Sequence, residues 1–458
     1  MLTHYKIINP ATEQTLQEID CDNEPGIQKK FERARMAQEH WSARSLNERI
    51  AVLHRFWQLL EVERDSLAET LTAEVGKPLQ QSINEINGAR SRISFFVENS
   101  EKFLSTETVF EAQDRVERIA YEPLGVVAII SAWNYPYLVG VNAIVPALIA
   151  GNAVLYKPSE FATLTGLRIS ELLHRAGIPK DVFAEVLGDG GQGAALTKLA
   201  LDGFFFTGSV RTGERIRSAI SNRFVAAGFE LGGKDPVYVC EDVDLDKVVP
   251  AVADGVFYNN GQSCCSVERI YVHETLYDRF VASFVDEVRN YKMGDPREPG
   301  VYLGPLTRNA QRDILRHQVE DALSKGAKLL LGGRPVAGSG YYFEPTVLAN
   351  VGHSMLVMKE ESFGPIIGIQ KVRDDHEALG LINDTEYGLT AGIYTRDEKR
   401  ALKLLGKVNA GSAYWNCCDR LSPYLPWSGR KNSGLGSTLS HVGIRSFARP
   451  KAYHLIQA

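Results

Sequence analysis

Between residues 118 and 233 the chain repeats one pattern: a short apolar run that stops at a Gly or Pro turn, then a stretch with helical spacing. Residues 126–130 follow the break at Pro123 and Gly125, 154–156 stop at Lys157-Pro158, and 204–206 stop at Thr207-Gly208. Residues 168–176 between them read as helix. Unbroken apolar runs are the mark of strands covered on both faces, and parallel strands need long crossovers, usually helices. The pattern predicts an α/β fold with a parallel, doubly wound sheet that takes its ligand at the carboxyl ends of the strands.

A second set begins near Pro236, with strands predicted at 236–240, 269–273 and 391–395 and helices at 276–291 and 310–325. Upstream, Ile27, Phe31, Ala34 and Trp41, then Ile50, Leu53, Trp57 and Leu60, recur at the spacing of amphipathic helices across 24–75. Residues 447–456 read as a terminal strand, which needs a partner edge.

With 458 residues, the chain exceeds one ordinary core and should form two to four folding units. The 51 basic and 56 acidic residues, net charge -5, are interspersed without a basic block, which argues against nucleic acid. No run of about eighteen apolar residues suggests a membrane span, and the opening MLTHYKIINPATEQTL lacks a leader pattern. A cytoplasmic setting is expected. Of six cysteines, Cys21 and Cys240 stand alone and Cys264-Cys265 and Cys417-Cys418 are adjacent pairs, a usage unlike a secreted disulfide framework. Reduced thiols are expected, and the absence of HExxH or CxxC spacing gives no support for a metal.

Four segments carry chemistry. In 257–264, FYNNGQSC, a Gly-Gln turn can present the Cys264 thiol to a planar carbonyl, although a cysteine in a loop is more often an inert buried thiol. In 229–236, FELGGKDP, Glu230 ends an apolar stretch before paired glycines, where desolvation would raise its proton affinity toward that of a useful base. In 131–136, SAWNYP, the Asn134 amide at a strand end can donate to a developing oxyanion. In 206–213, FTGSVRTG, backbone amides and Ser209 can face a pyrophosphate where a strand gives way to a helix.

These four segments, in their order, resemble the NAD(P)-dependent aldehyde dehydrogenase superfamily. So do Asn9-Pro10-Ala11-Thr12, Lys157-Pro158-Ser159-Glu160, Glu361-Ser362-Phe363-Gly364-Pro365 and the closing 426–434, PWSGRKNSG. The resemblance implies that Cys264 attacks an aldehyde, that Asn134 and the Cys264 N–H hold the oxyanion, and that Glu230 activates the water that hydrolyses the thioester. It implies a nicotinamide dinucleotide held by Lys157 and Glu160 at the adenosine ribose, Gly190 and Gly208 at the adenosine half, and Ser209 and Trp133 at the pyrophosphate. Leu231, Glu361 and Phe363 would meet the nicotinamide half. Glu160 would repel a 2′-phosphate, which favours NAD and leaves NADP possible. The substrate tunnel would involve Tyr135, Cys265, Leu421 and Trp427, with Arg420 beside it able to attract a distal carboxylate.

Two departures from the family pattern stand out: Ala143 and Thr438 occupy positions where many members carry a Lys and a Glu thought to relay protons from the base. The implied organisation is a cofactor domain from 1–104 and 124–232, a catalytic domain from 233–435, and a small β arm from 105–123 and 436–458 that pairs across subunits in a dimer or tetramer. A coenzyme A-acylating enzyme or a catalytically silent homologue are the competing readings.

Overall fold

The computed structural model describes residues 1–457; Ala458, the last residue of the expected arm, lies outside them. The strands, in chain order, are β1 (His4–Ile8), β2 (Thr15–Asp20), β3 (Glu107–Glu111), β4 (Arg115–Pro123), β5 (Val126–Ile130), β6 (Ala153–Lys157), β7 (Phe183–Glu185), β8 (Gly203–Thr207) and β9 (Ala226–Glu230). They continue with β10 (Asp235–Val239), β11 (Val267–His273), β12 (Lys328–Leu331), β13 (Thr346–Ala349), β14 (Ile366–Val372), β15 (Thr390–Tyr394), β16 (Ser412–Trp415), β17 (Gly434–Leu435) and β18 (Ala448–Ile456). The first five helices are α1 (Glu24–Ser42), α2 (Leu46–Val62), α3 (Arg64–Val75), α4 (Leu79–Leu104) and α5 (Pro136–Ala150).

Four sheets result. One has the order β17-β9-β8-β5-β6-β7, parallel except at β17, and reverses its winding between β5 and β8. A second runs β12-β13-β14-β11-β10-β15-β16, parallel except at β12. The third joins β3, β4 and β18, the last pairing with β4 from Ala448 against Pro123 to Ile456 against Arg115. The doubly wound α/β expectation therefore holds, and the terminal strand finds its edge inside the chain.

Helix α5 is apolar all round and 13 of its 15 residues are buried, as such a helix must be. It starts at Pro136, whose fixed φ suits the first helical turn. Against it lies α4, whose buried stripe of Ser82, Glu85, Ile86, Ala89, Arg92, Ile93 and Phe96 has helical spacing but carries two charges. Glu85 forms a fully buried ion pair with Lys77 and accepts from the Tyr137 N–H at 2.9 Å, so it caps the positive end of α5. Lys77 Nζ also donates to the Asn134 carbonyl at 2.8 Å.

Helix boundaries shift from the sequence reading where distant residues intervene. The helix expected at 168–176 starts at Thr163, because its first N–H groups find the buried Glu74 carboxylate: Leu164 at 2.7 Å and Thr165 at 2.9 Å. The helices expected at 276–291 and 310–325 run Tyr277–Arg289 and Asn309–Ser324.

Removing one partner of a buried ion pair strands the other charge, a loss of about 3–5 kcal/mol. Glu85→Gln should show that loss in urea denaturation, and Lys77→Met/Glu85→Leu, with both charges gone, should recover most of it. An unchanged urea midpoint for Glu85→Gln would mean the pair does not organise this junction.

Candidate active site

The carboxyl ends of β5, β6, β8 and β9 share one edge of their sheet, and every segment singled out in 131–135, 157–160, 208–209 and 230–233 emerges there. The winding reversal between β5 and β8 opens a crevice at that edge, the usual ligand position of an open α/β sheet. Glu230 ends β9 and is pinned from outside, since β17 pairs Gly434 with Glu230 and the Leu231 N–H donates to Ser433 O at 3.0 Å. That docking is the structural content of the closing 426–434 string.

Cys264 arrives through a tight reversal. Asn259, Asn260 and Gly261 have φ of 53°, 57° and 66°, the left-handed region that Asn and Gly tolerate best. A side chain at Gly261 would meet the Gly364 carbonyl at 2.6 Å. The paired glycines after Glu230 press on the same loop, because a Cβ on Gly233 would lie 2.5 Å from the Cys264 carbonyl. Asn134 closes the group: its Nδ2 donates to Gln262 O at 3.0 Å, and its own carbonyl takes the Lys77 ammonium. The Cys264 N–H has no backbone partner among the described residues.

Cys264, Glu230 and Asn134 line one cavity of about 700 Å³, together with Tyr135, Cys265, Leu421 and Trp427. The two adjacent cysteines differ sharply. Cys265 is buried, its Sγ donates to Asp419 Oδ1 at 3.0 Å, and the hydrogen bond from Cys264, burial and the Asp419 charge push its thiol well above the ordinary range. Cys264 is half-buried and opens on the cavity.

Burial pushes the Glu230 carboxyl up to about 8, against the opposing pull of the Thr438 hydroxyl, the Arg92 charge and Trp427. Thr438 Oγ1 donates to Glu230 Oε1 at 3.0 Å, while Oε2 has no partner among the described residues. Thr438, read from sequence as a departure, thus contacts the carboxylate directly, and Ala143 lines the same cavity with a methyl group.

The residues expected at a cofactor lie outside this cavity, along the sheet edge. Lys157 is buried, donates to Pro158 O at 3.1 Å and stands 3.9 Å from the half-exposed Glu160 carboxylate. Ser209 caps the helix Val210–Ala219 by accepting from the Thr212 N–H. A Cβ on Gly208 would lie 2.5 Å from the Phe206 ring, whereas one on Gly190 would meet nothing within 4 Å. Leu231 packs over Gly213. Trp133 and Phe363 meet edge to face at 5.4 Å, and Glu361 accepts from the Gly233 N–H at 3.1 Å. The Lys234–Glu268 pair at 2.6 Å underlies them, with Glu268 accepting from Ser362 and Phe363 N–H groups. Two polar side chains after β6, an aromatic pair and the helix start at Ser209 are the kinds of group an extended dinucleotide would need.

Sequence reasoning missed Arg92, Asn84, Asp254, Tyr258 and Asp419, all of which line the cavity. Arg92 had a signal: a charge on the apolar stripe of α4, seven positions from Glu85. Arg420 is exposed at the cavity rim, beside Asp419 and near Asp254, so the rim carries both signs of charge. Among the described residues no helix is long and apolar enough to cross a membrane, no three His, Cys, Asp or Glu side chains cluster as metal ligands, and all six cysteines are free.

The family model described as the aldehyde dehydrogenase family matches residues 2–453. The chain is 34% identical to the peroxisomal aminoaldehyde dehydrogenase 1 of Pisum sativum, over 97% of this chain and 91% of that protein. It is likewise 34% identical to the NAD(P)+ succinate semialdehyde dehydrogenase Sad of Escherichia coli, over 97% of this chain and 96% of the relative. Among solved structures, a 3,6-anhydro-L-galactose dehydrogenase in complex with NAP superposes with TM-score 0.95 at 32% identity, covering 99% of this chain and 96% of the other. A betaine aldehyde dehydrogenase of Staphylococcus aureus in complex with NAD+ superposes with TM-score 0.95 at 28% identity, covering 99% and 94%.

Glu230 binds its proton more tightly folded than unfolded, so stability falls as pH rises from the ordinary carboxylate range through about 8 and stays lower above it. At about 1.4 kcal/mol per tenfold change in proton affinity, Glu230→Gln should be more stable than the parent by a few kcal/mol above pH 8 and level with it near pH 4. Parallel stability curves for the two proteins would mean that burial does not load this carboxyl.

Proposed function

The chain belongs to the aldehyde dehydrogenase family, and from that premise we propose that it oxidises an aldehyde to the carboxylic acid with a nicotinamide dinucleotide, NAD in preference to NADP. The observation that carries this reading is the convergence of Cys264, Glu230 and Asn134 on one cavity, with the Cys265 thiol held protonated beside them.

The Cys264 sulfur adds as the thiolate to the aldehyde carbon, and the carbonyl oxygen becomes an oxyanion. The second Asn134 amide hydrogen and the unpartnered Cys264 N–H donate to it, stabilising charge that exists only during reaction. Loss of hydride from the thiohemiacetal carbon, leaving a thioester, is the chemistry the dinucleotide supplies when bound. Glu230 then takes a proton from water as the water attacks the thioester, and the C–S bond breaks with Cys264 leaving as the thiolate. A carboxyl with its pKa raised to about 8 is a stronger base than an exposed one, which suits that step. Thr438 orients it through Oε1 and leaves Oε2 free for the water.

Lys157 and Glu160 would hold the adenosine ribose, Gly190, Gly208, Ser209 and Trp133 the adenosine half and pyrophosphate, and Leu231, Glu361 and Phe363 the nicotinamide half. Residues 1–104 and 124–232 then form the cofactor domain, 233–435 the catalytic domain, and 105–123 with 436–458 the arm. Exposed Val109, Phe110, Leu455 and Ile456 on the arm sheet support pairing with a second copy, as a dimer or tetramer. The presence of Glu230 favours hydrolysis over transfer to coenzyme A. Six free thiols suit the cytoplasm.

Cys264→Ser should lose turnover by several orders of magnitude while still binding NAD, and Glu230→Gln should give a burst of NADH before a very slow steady state. Stopped-flow absorbance tests both; a dead Cys265→Ser with an active Cys264→Ser would move the nucleophile by one residue.

Glu160→Ser should raise kcat/KM with NADP relative to NAD, because the carboxylate no longer faces the 2′-phosphate. A wild-type enzyme that already prefers NADP would contradict the assignment.

A further inference from the structure

Helix α4 carries Arg92 into the wall of the cavity, where it is only 8% exposed. Its Nη1 donates to Leu138 O at 3.1 Å and to Asn142 Oδ1 at 2.9 Å. Among the described residues its Nε and Nη2 have no partner, and they are not sealed by protein, so this edge of the guanidinium faces the cavity.

The other buried cations are accounted for. Lys77 pairs with Glu85 and Lys234 with Glu268. Arg49 spreads its donors over the Ile149, Ser42 and Arg44 carbonyls, and Arg269 over Lys234, Leu381 and Ile382 carbonyls and the Tyr271 hydroxyl. Like Arg49 and Arg269, Arg92 forms no ion pair, but it alone of the three leaves both Nε and Nη2 without a partner, spending Nη1 on both of its bonds. A buried guanidinium edge that meets neither carbonyls nor a counterion is strongly disfavoured unless something else supplies the acceptor.

The groups around it do not supply one. Glu85 belongs to Lys77, and Glu230 has an Oε2 that no donor reaches, so Arg92 does not contact it. Asp254 accepts from Tyr302 Oη at 2.6 Å, and Asp419 from Cys265 Sγ. Cys265, its thiol pushed up by the Cys264 hydrogen bond, burial and Asp419, and Cys264 lie across the cavity from it. Ala143 adds no second cation. Burial lowers the guanidinium only to about 10, so it stays charged.

We propose that Arg92 is the anion-recognition group of this cavity, closing its free edge on the distal carboxylate of a short ω-carboxy aldehyde whose aldehyde carbon lies at Cys264. The planar fork matches a carboxylate in two parallel bonds. An ammonium group would meet the same charge with the wrong sign. This rests on the proposed aldehyde oxidation and names its substrate class.

The test compares the holoenzyme on succinic and glutaric semialdehydes with pentanal and hexanal, at saturating NAD. Wild type should prefer the acids in kcat/KM. Arg92→Met should raise KM for the acids by about 10- to 100-fold, the loss of bonds to a charged group, with KM for both neutral aldehydes little changed. Arg92→Lys should recover part of it and guards against a folding defect. In a second arm, calorimetry follows succinate binding to Cys264→Ser, with and without Arg92→Met. That binding should weaken with Arg92→Met, and it needs no turnover, so a chain that oxidises no aldehyde would fail the activity reading and leave the anion site judged separately. Equal losses on charged and neutral aldehydes would overturn the proposal. So would succinate affinity indifferent to Arg92.

Discussion

The buried pair of Lys77 and Glu85 is the interaction on which the site depends, because four pieces of chain meet on it. Lys77 ends the turn after α3 and holds the Asn134 carbonyl; Glu85 belongs to α4 and caps α5; the Lys77 ammonium lies 3.7 Å from the Tyr135 ring centroid. Such a pair adds little net stability relative to apolar substitutes, but it tolerates only one relative placement of its neighbours. A fixed placement is what an oxyanion donor needs, since an amide an ångström out of position is a much weaker catalyst. The Lys234–Glu268 pair does for the 361–363 loop what Lys77–Glu85 does for Asn134, holding Phe363 at φ 49° opposite Trp133.

Much of this was legible in the sequence for a local reason. Parallel strands covered on both faces announce themselves as apolar runs, and Cys264, Glu230 and Asn134 sit in strings whose Gly, Asn and Pro residues follow from the turns they make. What was not legible is long-range. The helix at Thr163 starts early because Glu74, some ninety positions upstream, accepts its first N–H groups. Thr438 stands where the family pattern often has Glu, which read as a missing relay; folding shows it against the carboxylate it would have served. No spacing rule joins residues 208 positions apart.

Arg92 is an intermediate case. Its helical position was readable, yet its consequence depends on which helix packs opposite. Had α5 presented a carboxylate there, Arg92 would be another internal pair; it presents Leu138 O and Asn142 instead, and half the guanidinium is left over.

The same low dielectric that raises the proton affinity of Glu230 also lengthens the reach of the Arg92 charge. Arg92 pulls the carboxyl of Glu230 downward, so burial and this cation oppose each other across the cavity. A carboxylate seated on Arg92 would cancel the cation and let burial act alone, strengthening the base once substrate is in place. A neutral aldehyde would leave the cation uncancelled and the base weaker. Substrate charge and the strength of the hydrolytic base are therefore linked in this cavity, without any contact between Arg92 and Glu230.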